Sequence, residues 1–117
     1  MTAWEPDVLP GYWQQTLPLG ADPDGEGDLV ATLVRAGDRK PAASHAVLMV
    51  HGFTDYFFHT EVADAFINRG FAFYALDLHK CGRSRREGQT PHFTTDLSRY
   101  DAELDRAERS PADAVRI

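Results

Sequence analysis

Hydrophobic and polar residues change their spacing along the chain, and each spacing predicts a type of element. Residues 12–19 and 28–35 are rich in aromatic, aliphatic and β-branched side chains, and a segment of Gly, Pro and Asp, residues 20–27, separates them. Glycine adopts positive φ, proline presets φ and aspartate bonds to its own backbone, so this segment favours a turn. The first third of the chain is therefore predicted to form an antiparallel hairpin.

A strand, a helix and a second strand are predicted after the hairpin. Residues 46–50 and 71–76 are continuously apolar, which is typical of parallel strands that are covered on both faces. Between them, residues 60–69 have apolar positions at helical spacing, with Thr60 as the candidate cap and Gly70 directly after the helix. This order predicts a parallel pair with a right-handed crossover.

The last third of the chain combines a polar loop with a second helix. Residues 79–93 contain glycine and proline at intervals that prevent a long regular element. Residues 95–109 return to helical spacing, and Glu103 is among the charged residues spaced for ion pairs on the helix surface. The predicted inward face of this helix consists of Leu97, Tyr100, Leu104 and Ala107.

These elements place the chain in the α/β class, as an antiparallel hairpin, a parallel β-α-β unit and a second helix. Its 117 residues have room for one small domain. Its 43% hydrophobic and 26% charged residues are typical of a globular protein with a buried core.

Charge and cysteine content exclude several classes of protein. The net charge of −6 argues against a protein whose main partner is nucleic acid or anionic lipid. The single cysteine, Cys81, cannot form an intramolecular disulfide, and the histidines show no metal-site spacing with it. The N-terminus lacks a signal-peptide pattern, and no apolar run is long enough to span a membrane. We therefore expect a cytoplasmic protein with no transmembrane segment, metal or cofactor.

Basic residues crowd into one short stretch that contains Lys80, Arg83, Arg85 and Arg86. This cluster has the chemistry to bind a phosphate or a substrate carboxylate. The simpler interpretation, which we favour, is a solvated loop that partly neutralises an acidic domain. The neighbouring positive charges also predict some thiolate character for Cys81.

The most informative junction lies after the first apolar strand, which ends in His51-Gly52 and opens into a loop. A glycine at the carboxyl end of a strand lets backbone N–H groups turn outward from the sheet. There they can bind an anion or a developing oxyanion. The alternative is a tight strand-to-loop turn without chemistry.

At this junction the sequence resembles the α/β-hydrolase superfamily, in particular the branch that contains monoacylglycerol lipases, lysophospholipases and S33-type serine aminopeptidases. The resemblance rests on residues 51–55 (HGFTD) and 73–84 (FYALDLHKCGRS), the latter similar to the family's strand and Asp-x-x-Gly-x-Gly-x-Ser loop. The order of the elements from about Tyr12 to Ser110 is similar as well. The resemblance implies a serine hydrolase (esterase, lipase or peptidase) that cleaves an ester or amide bond of a small lipid-like substrate.

The resemblance also implies roles for single residues. Phe53 would contribute its backbone N–H to the oxyanion hole, with Gly52 allowing close approach and His51 supporting the loop. Asp77 would hold the loop that follows it, rather than act as a nucleophile or triad acid. Three aromatic residues after the candidate oxyanion loop would line an apolar substrate pocket or, equally, pack under the first helix: Tyr56, Phe57 and Phe58.

No nucleophile elbow is present in the sequence. The motif is Gly-x-Ser-x-Gly on a strand-to-helix turn, and none of the four serines has that context. The nearest match, around Ser84, follows the wrong strand and has Arg86 in place of the second glycine. We therefore expect residues 1–117 to be the N-terminal portion of an incomplete hydrolase domain that is inactive alone. The alternative is a non-catalytic module of the same fold that binds a ligand or self-associates through its sheet edge, which the resemblance implies is unfinished and apolar.

Overall fold

The computed structural model describes residues 3–37, 45–52 and 55–108, and the backbone of residues 109 and 114–116. Short 3-10 turns lie at Gly82–Ser84 and Leu97–Arg99. The strands and helices, in chain order, are β1 (Glu5–Pro6), β2 (Tyr12–Ala21), β3 (Asp28–Ala36), β4 (Ala46–Val50), α1 (Thr60–Ile67), β5 (Ala72–Asp77), α2 (Tyr100–Arg109) and β6 (Ala114–Arg116).

The described strands form one mixed sheet in the order β1-β2-β3-β5-β4-β6. The pairs β1–β2, β2–β3 and β3–β5 are antiparallel, whereas β4 is parallel to both β5 and β6. The predicted α/β class and the parallel β-α-β unit are confirmed. No helix within the described ranges is long and apolar enough to cross a membrane.

The two helices cover opposite faces of the sheet. Successive strand residues point to opposite sides, and they contact different helices. Leu48 and Tyr74 belong to the core cluster that contains Ala107 of α2. The neighbouring strand residues Val47 and Phe73 belong to the cluster that contains Ala63 of α1. Every residue of β5 is buried, as expected for a strand covered on both faces.

The predicted hairpin is confirmed. Strand β2 ends two residues later than the sequence indicates, and β3 ends one residue later. Tyr12 pairs with Ala36 at one end and Ala21 with Asp28 at the other. The carboxylate of Asp22 closes the turn, because it accepts the backbone N–H groups of the residues two and four positions later at 2.9 and 3.2 Å. This local bonding explains why the acidic, glycine-rich segment forms a turn.

Helix α1 ends at Ile67, two residues before the predicted end, with the predicted glycine at its C-terminus, but it begins without the predicted cap. Gly70 has φ 90, its N–H donates to Ile67 O at 2.9 Å, and the N–H of Phe71 donates to Phe66 O at 3.2 Å. This is a Schellman C-terminus, which requires the left-handed conformation that glycine supplies. The prediction that Thr60 caps the helix is wrong, because Thr60 is its first helical residue and the preceding His59 makes no capping bond.

Helix α2 begins later than predicted, and this changes which residues are buried. A 3-10 turn capped by Asp96 precedes it, with Ser98 N–H donating to the Asp96 carboxylate at 3.0 Å. Because that turn does not continue the α-helical phase, Leu97 is 75% exposed, and its predicted burial is wrong. Glu103, predicted on the surface, is only 2% exposed.

These differences predict unequal effects of two leucine truncations. Leu33, in the centre of β3, is fully buried, so Leu33→Ala should lower the free energy of unfolding by about 2–5 kcal/mol. Leu97→Ala should change it by less than about 0.5 kcal/mol, because the side chain already lies in solvent. Urea unfolding of both variants measures the difference. Equal losses would contradict the placement of Leu97.

Candidate active site

A cleft of about 330 Å³ opens at the carboxyl ends of β4 and β5. In open α/β sheets, ligands bind at this edge, at the point where consecutive strands lie on opposite sides of a central one. Strand β4 has that central position, between β5 and β6. The residues that line the cleft are His51, Gly52, Leu78, Cys81, His92, Thr94, Leu97 and Tyr100.

The His51 side chain connects the ends of the two parallel strands. Its Nε2 accepts the backbone N–H of Leu78 at 3.1 Å, so the ring proton must be on Nδ1, which donates to Gly52 O at 2.7 Å. Both nitrogens are therefore bonded to backbone groups, and the ring has no free nitrogen for acid–base chemistry. This arrangement supports the loop after β4.

Gly52 is exposed at the mouth of the cleft, and a Cβ at this position would meet no described atom within 4 Å. A side chain here would therefore project into open space beside the backbone. Phe53, to which the resemblance assigns the oxyanion N–H, lies outside the described residues. Its role stays a prediction.

The three aromatic residues after this loop have different environments. Phe57 is 1% exposed and packs against Tyr12 and Phe73 in the core on the α1 side of the sheet. Tyr56 and Phe58 are about half exposed, at 45% and 50%, and contact each other with ring centroids 5.2 Å apart. None of the three is among the described residues that line the cleft.

The carboxylate of Asp77, at the end of β5, organises two loops and is completely buried. One oxygen accepts the N–H of Phe57 at 2.8 Å. The other accepts the N–H of Arg83 at 2.9 Å and its guanidinium at 3.0 Å. The loop after β4 and the loop after β5 are thus fixed to the same side chain, as the resemblance implies for this aspartate.

Gly82 and Ser84 fit the loop tightly against Asp77. Gly82 has φ 45, and a Cβ there would lie 2.4 Å from Tyr56 Cβ and 2.7 Å from the Asp77 carboxylate. Ser84 is buried, donates its hydroxyl proton to Asp77 O at 2.7 Å and accepts that of Thr32 at 2.9 Å. Its hydroxyl is therefore committed to loop structure and is inaccessible as a nucleophile.

The basic cluster does not form the solvated loop that the sequence favours. Arg85 and Arg86 are exposed, but the side chains of Lys80 and Arg83 are 0% and 8% exposed. Arg83 donates to Asp77 and forms a bidentate pair with Asp7 at 2.6 and 2.8 Å. These two basic residues neutralise buried carboxylates, which sequence composition alone could not indicate.

Lys80 ties the loop after β5 to the turn of the hairpin. Its Nζ lies 2.7 Å from both the Asp22 and the Glu26 carboxylates. Its backbone has φ 60, a conformation that favours glycine, and it stands where the family's Asp-x-x-Gly-x-Gly-x-Ser pattern has its first glycine. Thr90 donates two further hydrogen bonds to Glu26, at 3.0 and 2.7 Å. The acidic turn therefore binds the basic loop.

These contacts shift the pKa values of the turn carboxylates downward. Hydrogen bonds from Lys80 and then from Thr90 lower the pKa of Glu26 to about 2. Burial acts to raise the pKa of Asp22, but hydrogen bonds from Lys80 and the turn backbone outweigh it and lower this pKa. Both groups are therefore charged in the folded protein at neutral pH.

Cys81 does not have the thiolate character that its basic neighbours suggest. The thiol is 2% exposed, and burial, reinforced by the charges of Glu103 and Asp77, raises its pKa to about 12. The thiol donates to His79 O at 3.3 Å. The prediction is wrong first because the sulfur is buried. In addition, Lys80 and Arg83 are paired with carboxylates, and two acidic groups lie near the sulfur.

His79 and Glu103 form a buried pair that the sequence does not indicate. Glu103 accepts the backbone N–H of His79 at 2.7 Å and also bonds its Nδ1, and the His79 ring packs on Tyr100. Glu103 lies three residues after Tyr100 and four before Ala107, so helical spacing places it on the inward face. The pair connects α2 to the end of β5, and Tyr100, on which the His79 ring packs, lines the cleft.

The described residues include no group of three or more His, Cys, Asp or Glu side chains that could hold a metal ion. Most polar side chains around the cleft are already bonded to the protein. What the site offers is an exposed glycine backbone next to an apolar wall formed by Leu78, Leu97 and Tyr100. This combination suits a polar group with an apolar substituent.

Comparison with known proteins finds no relative: no family model, no curated protein and no solved structure matches the chain.

Substitution of two glycines should separate steric collision from backbone strain. Gly82 and Gly88 both have positive φ, but a Cβ at Gly88 meets no described atom within 4 Å. Gly88→Ala should cost about 1–2 kcal/mol for the left-handed backbone. Gly82→Ala should cost about 1–3 kcal/mol more, because Tyr56 and Asp77 must move. Unfolding free energies within error of each other would contradict the packing described for Gly82.

Removal of the Lys80 charge should alter the pH dependence of stability. The unfolded chain takes up protons on Asp22 and Glu26 near their ordinary pKa values of 3.8 and 4.5, above the folded values. Their stabilisation is thus present at neutral pH and lost as pH falls from about 5 toward 2. Lys80→Met should lower the urea midpoint at pH 7 and reduce this slope.

The matched control for this prediction is Arg69→Met, which removes one positive charge from an exposed position after α1. The control should retain the slope of the wild-type protein between pH 5 and pH 3. A Lys80→Met slope that equals the wild-type slope would show that the ion pairs with Asp22 and Glu26 do not stabilise the folded state.

Proposed function

We propose that residues 1–117 form the N-terminal, oxyanion-binding portion of a serine hydrolase that cleaves carboxylic ester or amide bonds. Two features support the proposal: the similarity of residues 51–55 and 73–84 to the α/β-hydrolase pattern, and the use of Asp77, Gly82 and Ser84 to hold the loop where that pattern has them. The order of the strands in the sheet is a third feature that supports it.

The observation that carries the proposal is the position of β6 beside β4. The strands are parallel, and Leu48 is opposite Arg116. A strand that continued in this register would come level with His51 and Gly52 about three or four residues beyond Arg116. A nucleophile elbow is a strand-to-helix turn, so one placed there would face the loop after β4.

In the complete site, the nucleophilic serine would attack the substrate carbonyl, a histidine would accept its proton and an acidic residue would orient that histidine. The residues of this chain have the complementary task. The N–H of Phe53 would donate to the oxyanion, while His51 and Asp77 hold the two ends of its loop. Leu78 and Leu97 would contact the apolar part of the substrate.

The 117-residue chain alone should therefore be inactive. It should not hydrolyse p-nitrophenyl butyrate above the buffer rate, and a fluorophosphonate probe should label none of its serines. Ser84→Ala is the informative control, because Ser84 is the nearest match to the elbow but is buried and hydrogen-bonded twice. Hydrolysis accompanied by labelling of any serine in this chain would contradict the proposal.

The decisive experiment uses the codons that follow Ile117. The proposal requires a Gly-x-Ser-x-Gly within the next few tens of codons, and a chain that includes the complete domain should hydrolyse the ester. In that chain, Phe53→Pro removes the backbone N–H, whereas Phe53→Ala retains it. The proline variant should lose about 10²–10³-fold in kcat, and the alanine variant much less. Absence of the motif would favour the non-catalytic module instead, and equal loss in both variants would contradict the role of the Phe53 N–H.

A further inference from the structure

We propose that Asp7 and Arg83 are positioning residues for the first part of the connection between β4 and α1, residues 51–57, here called the 51–57 loop: they fix its Phe57 end, and the oxyanion donor of the proposed function depends on that anchor. This inference rests on the proposed function. Asp7 lies in the segment between β1 and β2, 76 positions before Arg83. It touches neither the cleft nor the loop backbone through any described contact.

The two ends of the 51–57 loop are anchored on consecutive residues: Asp77, the last residue of β5, and Leu78 directly after it. At its start, the His51 ring accepts the N–H of Leu78. At its end, the N–H of Phe57 donates to the Asp77 carboxylate, and Arg83 Nη1 donates to Phe57 O at 2.7 Å. Both polar groups of the Phe57 peptide are therefore held by one aspartate–arginine pair. The two described ends of the loop are therefore fixed at neighbouring positions.

Asp7 determines the direction of the Arg83 guanidinium. Its two oxygens accept Nε at 2.6 Å and Nη2 at 2.8 Å, which leaves Nη1 to bond Phe57 and Asp77. The guanidinium is planar and rigid, so the bonds that hold Nε and Nη2 also fix the direction of Nη1. The Asp7 side chain is 0% exposed and that of Arg83 is 8% exposed, so water competes little for these bonds.

The charges in this cluster make its members interdependent. One buried guanidinium lies between two buried carboxylates, and loss of one partner leaves the remaining charges poorly compensated. Burial acts to raise the pKa of Asp7, but hydrogen bonds from Arg83 and the Leu9 backbone outweigh it and lower this pKa. Because oxyanion stabilisation depends on donor placement to within about 0.5 Å, a small rotation of Arg83 is expected to affect it.

The first test measures the loop without any enzyme activity. Amide hydrogen exchange of the 117-residue chain is followed by NMR in the wild type, in Asp7→Asn and in Arg83→Lys, which keeps the charge but not the fork. The Phe57 amide should exchange at least about tenfold faster in both variants. The amides of Leu33 and Leu76, in the central strands, report global stability and should change much less.

Asp101→Asn, an exposed charge change on α2, is the matched control and should leave all three amides at their wild-type rates. An unchanged Phe57 rate in Asp7→Asn would overturn the proposal. A uniform increase at Phe57, Leu33 and Leu76 would also overturn it, because it would show a purely global contribution to stability.

The second test applies the same variants to the longer, active chain that the proposed function requires. Asp7→Asn should lower kcat for p-nitrophenyl butyrate by about 10-fold or more, up to the roughly 10²–10³-fold that loss of an oxyanion donor costs, with KM changed less than about twofold. Faster Phe57 exchange with unchanged kcat would overturn the catalytic role of the loop and leave its anchoring intact. Failure of the positioning role and failure of the proposed function are therefore distinguishable.

Discussion

The buried guanidinium of Arg83 is the contact on which the geometry of the candidate site depends. It binds Asp7 from the N-terminal segment, Asp77 from the end of β5 and the carbonyl of Phe57. A charge in this environment is tolerated only when its partners stay in place. Three segments that are distant in sequence are thereby held in one arrangement, and the loops after β4 and β5 cannot move independently without breaking charged hydrogen bonds.

A second buried cation, Lys80, gives the uneven charge distribution of the chain a structural meaning. The acidic residues of the hairpin turn and the basic residues of the 80–86 stretch bind each other across the fold. This turn also accepts hydrogen bonds from Thr95 and Arg99 through Asp24. The two regions of opposite charge are internal partners, and little of the basic cluster except Arg85 and Arg86 is available to a ligand.

Such extensive internal bonding limits the chemistry that this part of the chain can perform. His51, Asp77 and Ser84 have the functional groups of a catalytic triad, yet each is engaged in holding a loop. The cleft retains an exposed glycine backbone and apolar neighbours. The proposed role in binding the oxyanion and the apolar part of a substrate would account for this division.

Local features of the sequence determined the class of the fold: the hairpin, the strands around 46–50 and 72–77, and the glycine that ends α1. These predictions succeeded because alternation, helical spacing and turn residues act over a few positions. Tertiary structure alone decided the exposure of Leu97, the burial of Lys80 and Arg83, and the pairing of Glu103 with His79. Whether a charged side chain is buried depends on partners far along the chain. The partners of Lys80 lie 54 and 58 positions away and the Asp7 partner of Arg83 lies 76 positions away, so no local pattern encodes these pairs.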